Sequence, residues 1–222
     1  MRFKKVSVLV PTRGRVERLK TLLESFEQTT AGRAELWFRV DDDDVKTQKA
    51  LRNRSYVIGP RLDGYKSTPH FFNELYAVCS GDVLMAGNDD MVFKTLGWDE
   101  RILKEADLYP EGLFDFGVLT HNAPNFPFAT VSRAACDALG FFFDPRFFWG
   151  DIFWRDVMSH FGRAIPLPSV QIDHDWVGFE PDRIFAAGER TRRADHSQYH
   201  AVAVAEAVGK LEALWSTSAS RS

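Results

Sequence analysis

The stretch Gly81–Phe93, GDVLMAGNDDMVF, constrains the fold more than any other: a short apolar run between two glycines ends abruptly in Asn88, Asp89 and Asp90. Val83–Ala86 reads as a strand buried on both faces in a parallel sheet rather than as a surface helix. In open α/β sheets ligands lie beyond the carboxyl ends of the strands, where hard cations such as Mg2+ or Mn2+ take oxygen ligands beside a phosphate. On this reading Asp90 is the leading metal ligand. Asn and Asp also favour turns on their own account, so the cluster taken alone is equally a polar turn, and the rest of the chain has to decide.

The surrounding pattern alternates strands and helices. Val6–Val10 is apolar, mostly β-branched and stopped by Pro11, as a buried first strand would be. Thr12, Arg13, Gly14 and Arg15 form a loop, and Val16, Leu19, Leu22, Leu23 and Phe26 recur at helical spacing. A Thr and two arginines at a strand's carboxyl end suit a nucleotide's base, ribose or phosphate, or are simply solvated. Glu35–Val40 is a second strand that runs into Asp41, Asp42, Asp43 and Asp44. These acids either complement the dipole of a helix over Lys46–Arg52 or place Asp41 or Asp42 against a base or ribose.

Tyr56–Ile58 is a third strand, followed by a loop carrying Arg61 and Lys66, and by a helix over His70–Cys79 capped by Ser67 or Thr68. Asn73 is a mediocre helix former there, which is a reason for it to face the crevice. After the acidic turn, Met91–Glu105 reads as a turn and a helix with Trp98, Ile102 and Leu103 inward. Phe114–Leu119 is a strand, Ala129–Leu139 a helix, and Ile152–Phe161 an amphipathic helix with Asp151 at its start. That Asp is an N-cap or a general base aimed across the crevice. Ile165–Ile172 is the last strand, with Asp173, His174 and Asp175 at its end, and His174 is a further candidate metal ligand. The Arg-rich stretch beyond it, with Arg190, Arg192 and Arg193, suits a lid over a diphosphate, and a final helix covers Tyr199–Trp215.

With 222 residues, 45% of them hydrophobic and 27% charged, the chain is long enough to bury a core without staples. A net charge of −3 does not mark a nucleic-acid or membrane-surface protein. Cys79 and Cys136 read as buried thiols of a reducing compartment. No run approaches the roughly 20 apolar residues of a membrane span, and Pro11 interrupts the N-terminal segment before a signal-peptide core could form. The expectation is a cytoplasmic protein without a membrane span.

Taken in order, these motifs resemble the nucleotide-sugar glycosyltransferases of the GT-A fold, family 2 type, over roughly residues 5–176. VSVLVPTRGR is similar to the family's opening strand with its Pro-Thr and polar loop, and WFRVDDDD to its second strand with a base-recognising acidic pair. HFFNELYAVCSGDVLMAGNDDMVF is similar to its helix with a central Asn, then Gly-Asp, then the strand ending in an Asp-any-Asp metal motif. Asn88 and Asp90 fall on the two acids of that motif, so the first acid is replaced by Asn. Trp149, Gly150 and Asp151 fall on an acidic pair at a helix start whose second member is the catalytic base, so Gly replaces the first acid there. His174 falls where the family often completes the metal shell.

The resemblance implies a single-domain α/β protein with a GT-A (Rossmann-like), mostly parallel sheet flanked by helices. Residues 1–178 would be the glycosyltransferase domain, with a nucleotide-sugar half over about 1–93 and an acceptor half over about 94–178, and residues 179–222 a lid segment and C-terminal helix. It implies an inverting, Mn2+- or Mg2+-dependent hexosyltransferase with a nucleotide-sugar donor, UDP-linked by family habit. Asp151 is then the base, Asp90 and His174 the metal ligands, and Pro11, Thr12, Arg13, Arg15, Asp41, Asp42, Lys66, Asn73, Asn88 and Asp89 the nucleotide contacts. The acceptor is a saccharide, a protein or a modified DNA base such as hydroxymethylated DNA. Two alternatives are a non-catalytic binding module of the same fold and a nucleotidyltransferase, although the latter wants a Gly-rich phosphate loop that PTRGR does not supply.

Overall fold

The computed structural model describes residues 1–62, 67–121, 127–146, 149–174, 198–213 and 215–216. The first half alternates strictly: β1 (Val6–Thr12), α1 (Val16–Thr29), β2 (Ala34–Asp41), α2 (Val45–Ala50), β3 (Ser55–Gly59), α3 (Ser67–Val78) and β4 (Val83–Ala86). Each helix returns the chain to the same edge, so β3, β2, β1 and β4 lie side by side and all parallel. The second half contributes β5 (Met91–Phe93), α4 (Trp98–Ala106), β6 (Asp115–Leu119), β7 (Thr130–Ser132), α5 (Arg133–Leu139), α6 (Gly150–His160), β8 (Ala164–His174) and a helix α7 over residues 198–213.

Together they form one 8-stranded sheet in the order β3-β2-β1-β4-β7-β6-β8-β5. β7 runs antiparallel to both β4 and β6, β8 is parallel to β6, and β5 is antiparallel to β8. The sheet is thus mostly parallel, as the sequence pattern leads one to expect. Its core lies on both faces. Val6, Val8 and Val10 of β1 point to one side, where Leu19, Leu22 and Phe26 of α1 and Trp98 and Ile102 of α4 cover them. Leu9 of the same strand points to the other, where α3, α5, α6 and α7 supply Leu75, Cys136, Trp154 and Leu211. That two-sided burial is why the strand reads as an apolar run broken only by the buried Ser7.

Two strands depart from the expected pattern. Met91–Phe93 was expected in the turn before a helix and is β5; Thr130–Ser132 was expected inside a helix and is β7, with only Arg133–Leu139 helical after it. Each is three residues long, shorter than the window over which a period of 2 can be told from 3.6.

Strand direction fixes where chemistry can gather. β1, β2, β3 and β4 are parallel, and two antiparallel steps through β7 return β6, and β8 with it, to the same sense. The carboxyl ends of β1, β2, β4 and β8 therefore open on one edge, and pairing of Met91 with His174 sets His174 next to the acidic turn.

Candidate active site

At that edge His174 is held on two sides. The Asn88 side-chain amide nitrogen lies 2.9 Å from His174 Nε2, and the Phe128 ring stacks on the imidazole with an interplanar angle of 7°. Asp90 Oδ2 lies 3.5 Å from His174 Nδ1 and accepts from Arg18 Nη1 at 3.3 Å. The residue is only 6% exposed, and its other oxygen, Oδ1, is buried with no hydrogen-bond partner among the described residues. Burial, reinforced by the charge of Asp89, pushes the Asp90 carboxyl up to about 6.

Asp89 is fully engaged: Thr12 Oγ1 donates to Oδ2 at 2.9 Å and Arg15 Nη1 to Oδ1 at 3.0 Å. The acidic turn is thereby tied to the end of β1 and the start of α1. Half-buried Pro11 precedes Thr12 in β1. An orphaned, buried carboxylate oxygen beside an imidazole is a donor set a divalent cation takes, with further oxygens coming from a diphosphate or water. No group of three or more His, Cys, Asp or Glu side chains with metal-binding geometry occurs among the described residues, so the site fits a cation only as a partial shell completed by ligand.

The four consecutive acids after β2 divide by role. Asp41 is buried and shared by two arginines: Arg13 Nη1 donates to Oδ2 at 2.6 Å, and Arg39 Nη1 donates to Oδ1. Asp42 is exposed, with its backbone N–H on the Gly59 carbonyl at 2.8 Å. Asp43 is exposed and pairs with Arg13. Asp44 caps α2, accepting from Thr47 N, and also takes the Gly14 N–H at 2.7 Å. The helix-start reading thus holds for Asp44, while Asp41, buried at the end of β2, has its charge met by two arginines. Arg39, 1% exposed, went unnoticed in the sequence; it lies 4.1 Å from the Phe71 ring centroid and donates to Glu74 at 2.9 Å. The one signal was a charged residue interrupting the apolar alternation of Phe38 and Val40, which demands a buried partner.

Asp151 stands in the first turn of α6, whose N-cap is Trp149, so it does not fill the capping position itself. It is half-buried, and burial pushes its carboxyl up to about 6. Gly150 before it is packed against Phe143: a Cβ there would overlap Cγ, Cδ1 and Cδ2 of that ring. Asn73 donates to the Phe143 carbonyl at 2.7 Å and accepts from the N–H groups of Phe142 and Phe143 at 2.8 and 3.0 Å. Its amide braces this turn through both its nitrogen and its oxygen. Lys66, Arg190, Arg192 and Arg193 lie outside the described residues.

Beneath α6, Asp115 of β6 is completely buried. Oδ1 accepts the Thr130 N–H at 2.8 Å, and Oδ2 has no partner among the described residues. Burial, aided by the negative charge of Asp151, pushes this carboxyl up to about 8. The folded protein therefore keeps a proton that the unfolded chain releases above its ordinary value near 4, and stability falls as pH rises toward 8. Asp115→Asn is expected to remove this slope, gaining on the order of a few kcal/mol relative to the parent between pH 6 and pH 8. Urea unfolding at those two pH values measures it, and equal slopes in parent and variant refute the buried proton.

No family model matches the sequence, and no curated protein matches it significantly. Solved structures do match in fold. The mannosyltransferase PcManGT from Pyrobaculum calidifontis, in complex with GDP-Man and Mn2+, superposes with a TM-score of 0.63 at 14% identity, covering 98% of this chain and 76% of that one. TarS 1–349 from S. aureus, in complex with UDP, gives 0.54 at 12% identity over 87% of this chain and 66% of that one. A longer TarS structure gives 0.54 at 13% identity, and there the chain spans 40% of the TarS length. At these identities the likeness is one of fold, and the fold is the GT-A-like fold of nucleotide-sugar glycosyltransferases. No helix among the described residues is long and apolar enough to cross a membrane.

Proposed function

We propose that this chain is an inverting glycosyltransferase, assisted by a divalent cation, that moves a sugar from a nucleoside-diphosphate donor to an acceptor hydroxyl. The observation that carries the reading is the convergence of Asp90, with its orphaned buried oxygen, and His174 on the carboxyl edge of a GT-A-like sheet. Asp90 and His174 would hold Mn2+ or Mg2+, which when bound neutralises charge on the departing diphosphate. The remaining work falls to the chain. Asp41, with Thr12 and Arg13 beside it, takes the nucleoside end. Asp151 accepts the proton of the acceptor hydroxyl as that oxygen bonds to the anomeric carbon and the bond to the diphosphate breaks with its electron pair.

The nucleotide is read as uridine. Structures of similar fold carry GDP-Man in one case and UDP in another, so the test compares them. UDP-, GDP- and dTDP-sugars are added with and without Mn2+ while thermal unfolding is followed. At a hundredfold excess over Kd a true donor adds about 2.7 kcal/mol, a rise in Tm of roughly 5–10 °C for a chain of this size. The UDP-sugar is expected to give it, and more strongly with Mn2+. No shift with any donor sinks the proposal, whereas a shift with neither transfer nor slow donor hydrolysis leaves a binding module of the same fold.

A further inference from the structure

Arg15 and Arg18 lie three residues apart at the start of α1, on one side of the helix. They address adjacent acids of the turn after β4, Arg15 reaching Asp89 Oδ1 at 3.0 Å and Arg18 reaching Asp90 Oδ2 at 3.3 Å. The acids are almost sealed from water, 5% and 6% exposed, while the two arginine side chains remain 46% and 26% exposed. A guanidinium fork matches phosphate oxygens as well as it matches a carboxylate. The oxygen Arg18 holds is also the one nearest His174 Nδ1, at 3.5 Å. A guanidinium and a divalent cation held by one carboxylate repel each other, so a cation taken up at the orphaned Oδ1 of Asp90 would free Arg18 from Oδ2 toward the anion that comes with it.

We propose that Arg18, with Arg15 beside it, is the protein's own counter-charge for the donor diphosphate: it rests on Asp90 while the donor is absent and turns to the diphosphate oxygens when donor and cation bind. The inference rests on the glycosyltransferase reading and deepens it, since it assigns the diphosphate subsite to α1. It also requires that part of the affinity for a nucleoside diphosphate survives without metal.

The test is calorimetry on the full chain and on Arg18→Gln and Arg15→Gln, with UDP, GDP and uridine in EDTA, and with Mn2+ alone. The parent is expected to bind UDP or GDP in EDTA well above the bare nucleoside. Arg18→Gln is expected to lose about tenfold or more of that affinity, the scale of one charge-assisted hydrogen bond, with uridine binding unchanged. The same variant is expected to bind Mn2+ alone several-fold more tightly, because Asp90 is relieved of its guanidinium. A merely structural arginine would move both affinities downward together, and that result overturns the proposal. So does diphosphate binding in EDTA that neither variant weakens. A parent that binds nucleoside diphosphates only with Mn2+ refutes the arginine subsite and leaves the transferase reading intact, while a parent that binds none under any condition refutes both.

Discussion

Asp151→Asn is expected to lower the turnover of sugar transfer by about a hundredfold to ten-thousandfold, the range that a positioned general base supplies, with donor affinity nearly unchanged. The asparagine keeps the shape of the side chain and the start of α6 but cannot take a proton. Donor affinity is spared because Asp41, Asp89, Asp90 and His174 lie on the ends of β2, β4 and β8, not on α6. The pH profile follows from the same carboxyl. Burial holds it at about 6, so the base is protonated below that value and free above it. In the parent kcat/KM should rise with pH up to about 6 and level off. Stability carries the opposite sign: the folded state retains this proton between the ordinary carboxylate value and about 6, so Asp151 adds its own loss of stability as pH rises through that window, and Asp151→Asn removes that share while leaving the shares of Asp90 and Asp115. Single-turnover transfer and calorimetric donor binding on one preparation decide the assignment. Retained transfer, or donor binding lost together with transfer, removes Asp151 from the role of base.

The order of the candidate site residues along the sheet was legible in the sequence, and their electrostatics were not. VSVLV, ELWFRV and VLMA announce strands because both their faces are buried, and the polar residues that follow them must then lie on the sheet's carboxyl edge. That reasoning places Thr12, Asp41, Asp90 and His174 together without any side-chain contact being known. It cannot reveal that Arg13 and Arg39 divide Asp41 between them, or that Arg18 holds Asp90. Arg13–Asp41 and Arg18–Asp90 join segments some 30 to 70 residues apart, and no local period records them; Arg39 and Asp41 are two apart on one face of β2, but only the structure shows that they pair. The same limit hid Asp115, a carboxyl between Phe114 and Phe116 that looks like an error in an apolar strand until the Thr130 N–H of β7 is seen donating to it. Asp41–Asp44 show the reverse case, in which a run of four similar residues separates into a shared anion, two exposed acids and a helix cap only through its partners.

Gly150 stands where the resemblance leads one to expect an acid, and restoring that acid is expected to harm the protein. A Cβ at this position overlaps Phe143 at Cγ, the ring atom closest to the main chain, so rotating the ring about its own axis does not clear the space. Phe143 cannot retreat. Its ring stacks on Phe142 at 4.7 Å and lies 4.5 Å from Phe72, and its backbone is held at both N–H and carbonyl by Asn73. The start of α6 must therefore move, carrying Asp151 with it. Overpacking of this kind costs about 1–3 kcal/mol, roughly 2–12 °C in Tm, and a displacement near 1 Å at the reacting group lowers transfer about a hundredfold. Gly150→Ala and Gly150→Asp should share both losses, since the clash lies at Cβ and not in the charge. Combining Gly150→Ala with Phe143→Leu should recover part of the stability, because the two positions compete for one volume and their effects are not additive. If Gly150→Ala is as stable and active as the parent, the contact does not govern the site. If only Gly150→Asp fails, the carboxylate's own burial is the cause. The clash predicts neither outcome: the ring of Phe143 fills the place a first acid would need, and the chain is left with Asp151 as the acid at the start of α6.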